Sequence, residues 1–95
     1  NASADAKEKD EFLAAAIDYY IKIAQFYAGV PVAAAQGLWK GGQLLEQQSA
    51  AAADPKFKAQ QLGRAKAAYA QLLKDYPNSE FAAKAQERVT ALGTK

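Results

Sequence analysis

The chain has 95 residues, 51% of them hydrophobic, and 12 Lys plus Arg against 10 Asp plus Glu give a net charge of +2. That describes one small domain or a piece of a larger one, too apolar for a disordered tail. Cys, His and Met are all missing, which excludes disulfides, thiolate or imidazole metal ligands, and Ser-His or Cys-His nucleophile pairs.

The lack of Met points to a segment of a longer translated product. Ala occurs 24 times, a composition that favours closely packed helices. The basic residues are dispersed between Lys7 and Lys95, so the clustered stripe of a nucleic-acid-binding protein is missing. No apolar run reaches the ~20 residues of a membrane span, and no signal-peptide pattern is present. Direct membrane insertion by this segment is therefore not expected, and no cofactor is implied.

The predicted fold is all-α, with helices at about 5–28, 31–49, 55–76 and 79–92 and no strand. Residues 1–4 are set aside as a remnant outside the fold, leaving 5–95 as one helical domain. In the first helix Phe12, Ala16, Tyr19, Ile23 and Phe26 recur at offsets of three and four, the helical spacing. Leu13, Ile17, Tyr20, Ile21, Ala24 and Tyr27 add a second apolar flank. A surface helix shows one stripe; this one reads as covered on two sides. Its opening over 5–11 mixes Glu and Lys at helical spacing, which gives modest support to a solvated start.

Gly29-Val30-Pro31 breaks the chain. Gly29 suits the left-handed position after a helix, and Pro31 suits the first turn of the next. The second helix carries Ala34, Ala35, Leu38, Trp39, Leu44 and Leu45 on its apolar side, and Gly37, Gly41 and Gly42 interrupt it. Each interior Gly costs about 1 kcal/mol relative to Ala, and close approach by a neighbouring helix is the simplest reason to keep three. Asp54-Pro55 is an N-cap followed by an N1 proline and starts the third helix. Leu62, Ala65, Tyr69, Leu72 and Tyr76 form its stripe, with Phe57 as a weak member. Tyr76-Pro77-Asn78-Ser79 ends it, with Asn78 or Ser79 as the next cap. Ala82, Ala85, Val89 and Leu92 make the inner face of the fourth.

The chain repeats itself. Ala16, Tyr20, Ile23 and Tyr27 align with Ala65, Tyr69, Leu72 and Tyr76 at an offset of 49, and Ala35, Leu38, Gly42 and Leu45 align with Ala82, Ala85, Val89 and Leu92 at an offset of 47. The unit is a helix, a short turn and a helix. Such a unit cannot bury its apolar face alone, but stacked units can.

Ala65, Tyr69, Leu72-Leu73 and Tyr76-Pro77-Asn78-Ser79 resemble the second helix and exit turn of a tetratricopeptide repeat. Leu38, Gly42 and Leu45 are similar to the large, small and large positions of its first helix. The segment from Ser79 to Leu92 resembles the closing helix of bacterial cell-envelope members of the class. The likeness spans Ala14 to Leu92. It departs from the family in two ways: the hairpin from Leu45 to Ala65 is longer by about eleven residues than the 34-residue repeat allows, and Ala28 stands where Pro77 does in the second unit. The resemblance implies a short right-handed stack of hairpins that begins in mid-repeat. It also implies a non-catalytic scaffold or interaction role, and a location on the periplasmic side of the bacterial envelope rather than in the cytoplasm.

Two candidate surfaces follow. In the first, a protein partner's peptide or helix lies in a helical groove, anchored on Trp39 with Gln36, Gln43 and Gln47 as polar partners. Packing of Trp39 against the next hairpin and a solvated helix face for the glutamines are the alternatives. The second surface makes the domain an oligomerisation or spacer element, a homodimer formed through Leu13, Ile17 and Ile21 of the first helix. A catalytic reading would pair Asp18 with Glu46, but no spacing fixes their separation and no acid-base constellation is legible.

Overall fold

The computed structural model describes residues 2–93, with side chains from Glu11 onward. The Glu–Lys pairing expected over 5–11 lies outside the described side chains. Four helices follow one another: α1 (Ala2–Phe26), α2 (Pro31–Ala51), α3 (Pro55–Asp75) and α4 (Ala82–Gly93), and the described residues contain no strand. The fold is all-α, as the periodicity predicts. Helix α1 already includes Ala2–Ala4, because nothing in Ala-Ser-Ala opposes a helix.

Each break has a local cause. Pro31 opens α2 at its first position, where a missing N–H costs nothing. Asp54 caps α3 by accepting from the Lys56 N–H at 3.2 Å. Ser79 Oγ accepts from the Phe81 N–H at 3.1 Å. That hydrogen bond closes a turn rather than the helix end, and α4 starts three residues later than the expected cap position, at Ala82. Gly29 does not take the left-handed conformation: no glycine among the described residues has positive φ. The turn closes instead through the Val30 N–H to the Tyr27 carbonyl at 2.8 Å.

Helices pack chiefly on their sequence neighbours, α1 on α2, α2 on α3 and α3 on α4. The result is a slab with extents of 44 × 32 × 17 Å. Helix α2 is the hub. Ala34, Ala35, Gly37, Leu38, Trp39, Gly41, Gly42, Leu45 and Ser49 are all buried in it. Its glycines are contact points. A Cβ on Gly37 would stand 2.6 Å from the Tyr20 carbonyl oxygen, and one on Gly42 would stand 2.5 Å from the Tyr69 ring. The two backbones of α1 and α2 therefore meet with no side chain between them. At the far end of the α2–α3 hairpin, Ser49 Oγ donates to the Lys58 carbonyl at 3.2 Å, and Gln61 Nε2 donates to Gln48 Oε1.

Two glycine substitutions separate propensity from packing. Gly37→Ala should lower the unfolding free energy by roughly 1–3 kcal/mol, since it overpacks against backbone. Gly63→Ala, in α3 with open space around it, should raise it by roughly 0.5–1 kcal/mol. Urea unfolding followed by helical circular dichroism reads both. A stabilised Gly37→Ala would mean that α1 does not approach α2 so closely.

Candidate functional site

Trp39 faces inward. Its ring lies 5.4 Å from that of Tyr69 and stacks on Phe81 at 6.1 Å with an interplanar angle of 16°. It bridges α2 to α3 and to the turn before α4, so the indole does not form an open platform. The expected anchor is a core residue because Tyr69 and Phe81, from two different segments, close over it. Trp39→Ala should cost about 3–5 kcal/mol. A variant that kept its wild-type urea midpoint would return the indole to the surface.

The three glutamines are brought together without it. Gln36 and Gln47 are exposed and Gln43 is half-buried. With Lys40 they recur at helical spacing and make one solvated stripe along α2. Trp39 turns off that stripe toward α4.

The residues expected to mediate self-association are also placed inside. Ile17 is buried in the core, and Leu13 and Ile21 pack against it. Gly41 makes this possible: a Cβ there would be 3.0 Å from Ile21 Cδ1. The other stripe of α1 faces solvent, with Phe12 78%, Tyr19 62% and Phe26 81% exposed. Both stripes were legible as apolar; which one faces α2 was not.

One polar cluster crosses the core. Glu46 on α2 accepts from the Tyr69 hydroxyl at 2.5 Å and from Arg88 Nε at 3.0 Å, and Arg88 Nη2 closes a bidentate pair on its other oxygen. Burial pushes the Glu46 carboxyl up, but the bonds from Arg88 and Tyr69 and the Arg88 charge outweigh it and hold the group below its ordinary 4.5. Burial, then the bond to Glu46 and its charge, push the Tyr69 phenol well above its usual range. The bond to Glu46 raises the Arg88 guanidinium. Glu46 is the acceptor for both partners. Sequence reasoning missed this cluster, since its members are separated by 23 and 42 residues. Asp18 is engaged elsewhere, 3.0 Å from Lys22 one turn along, so the structure does not bring Asp18 and Glu46 together.

Several hollows stand open among the described residues. One, of about 250 Å³, runs between α1 and α3. Its floor is Leu38 and Leu45 of α2, its walls include Ile21, Ala24 and Ala68, and Gln25, Arg64 and Gln71 supply polar groups at its edge. Another, of about 470 Å³, is framed by Pro31, Val32, Tyr76, Pro77 and the turn into α4, and one of about 460 Å³ lies at the α2–α3 turn beside Ala51, Ala53 and Phe57. No buried side-chain polar atom among the described residues lacks a partner. Among the described residues no cluster of acids is placed to hold a metal ion, and no helix is long and apolar enough to cross a membrane. Comparison with protein-family models, curated proteins and solved structures finds no match.

The pH dependence of stability follows from Glu46. Its folded pKa lies below its unfolded value, so its contribution is complete above 4.5 and is lost as pH falls through the folded value. Glu46→Gln should therefore be less stable than wild type at neutral pH, and the gap should narrow as pH falls below 4.5. Urea midpoints across that range test it; a gap independent of pH would remove the carboxylate from the account.

Proposed function

We propose that the chain is a non-catalytic protein-interaction module, a short stack of helical hairpins of the tetratricopeptide-repeat kind, that takes a partner peptide or helix in the groove between α1 and α3. The observation that supports it is the groove itself: an apolar floor of Leu38 and Leu45 with Gln25, Arg64 and Gln71 above it. Small walls at Ala24, Ala67 and Ala68 let a partner backbone come close. The amides and the guanidinium supply hydrogen bonds in two directions, and Arg64 favours a partner with a carboxylate. A preformed surface spares the domain an ordering cost on binding. The groove lies across α2 from the Gln36, Gln43 and Gln47 stripe, so those glutamines are not the polar partners in this reading.

Selection of a displayed random-peptide library on the immobilised chain tests it. Enriched peptides should carry an apolar residue and an acid. They should lose binding about tenfold or more to Ala67→Trp, which fills the groove, and to Arg64→Glu, which inverts its edge charge. Ala67 and Arg64 are exposed, so both variants should keep wild-type helicity. No enrichment, or enrichment blind to both variants, would overturn the reading.

A further inference from the structure

The outer stripe of α1 is not part of that groove. Phe12, Tyr19 and Phe26 sit seven residues apart, and half-buried Ala16 and Ile23 fall between them. Offsets of four and three alternate along the stripe, which is the spacing of a coiled-coil seam. From Phe12 to Phe26 it runs about 21 Å at 1.5 Å per residue. The Tyr19 ring meets that of Tyr20 edge-on at 5.4 Å.

The three rings of the stripe are spaced symmetrically about Tyr19. From this symmetry we propose that the stripe is covered by α1 of a second copy, running antiparallel, with the two-fold axis at Tyr19. That axis sets Phe12 against the partner's Phe26 and Tyr19 against the partner's Tyr19. It sets Ile23 against the partner's Ala15, a large side chain on a small one. Asp18 and Lys22 are the only charged residues between Phe12 and Phe26. The axis sets them against the partner's Tyr20 and the partner's Ala16, so no like charges meet. A parallel pair would instead put each of these charges beside its own copy.

Area agrees with this occupant. At about 200 Å² per aromatic side chain, the three rings expose on the order of 400 Å² on each copy. With Ala15, Ala16 and Ile23 added, complete cover of the stripe on both copies removes on the order of 1,000 Å², the range of weak, concentration-dependent association. An isologous contact needs only this one self-complementary patch.

The chain has no Cys, so introduced thiols report the geometry cleanly. Light scattering on a sizing column over a dilution series should show a mass of twice 10.2 kDa at high concentration, falling to the monomer on dilution. Tyr19→Cys should cross-link to itself under mild oxidation. Phe12→Cys and Phe26→Cys should each fail alone and cross-link when mixed. Tyr19→Glu should weaken association by about tenfold or more by setting like charges together at the axis. Its helicity should stay at the wild-type level, because Tyr19 is exposed.

A monomer at every concentration would overturn the proposal. So would efficient self-linking of Phe12→Cys and Phe26→Cys, the parallel pattern. Neither result bears on the groove, which Tyr19 does not line: peptides selected there should bind Tyr19→Glu like wild type.

Discussion

The structure turns on one ring. Tyr69 is fully buried, occupies the space left by Gly42, touches Trp39 and donates to Glu46. Glu46 in turn holds Arg88. Three helices meet at this point: α3 supplies the ring, α2 the glycine and carboxylate, and α4 the guanidinium. An apolar residue in place of Tyr69 could fill the volume, but it would leave Glu46 half-buried with one bond fewer. The ring needs the glycine and the carboxylate needs the ring, so the fit of α3 and α4 on α2 stands or falls together.

Helix α2 can serve as the hub because it is poor in bulk where its neighbours touch it. Glycine at positions 37, 41 and 42 costs intrinsic helix stability, and close packing from two sides offsets that cost. The arrangement has an edge, however. Helix α3 is covered by α2 and α4, whereas α1 rests on α2 alone as its main neighbour. Two surfaces result from that difference. One is the groove between α1 and α3, floored by α2. The other is the outer stripe of α1, where three aromatic rings meet solvent. A stack of packed helices leaves such faces at its ends.

The internal repeat shows how one pattern takes two fates. Ala65, Tyr69 and Leu72 are fully buried, while their counterparts Ala16, Tyr20 and Ile23 are half-buried. The side chains are nearly the same. What differs is the number of helices packed around them, a property of position in the stack. Trp39 makes the same point from the other direction: a single tryptophan on a helix face reads equally as a platform or as core, and Phe81, 42 residues away, decides it.

The sequence by itself determined the four helices, the breaks at Pro31, Asp54-Pro55 and Tyr76-Pro77, and the apolar stripes. These rest on local terms: periodicity, capping and the geometry of proline. It also marked the α2 glycines as points of close approach. Only the tertiary structure decided which stripe of α1 turns inward, that Trp39 is enclosed, that Glu46, Tyr69 and Arg88 share one cluster, and that the groove runs over Leu38 and Leu45. Those outcomes depend on contacts between residues far apart in the chain. Helical spacing says which side chains share a face, but which faces meet is settled by the shapes and charges that the neighbouring helices bring.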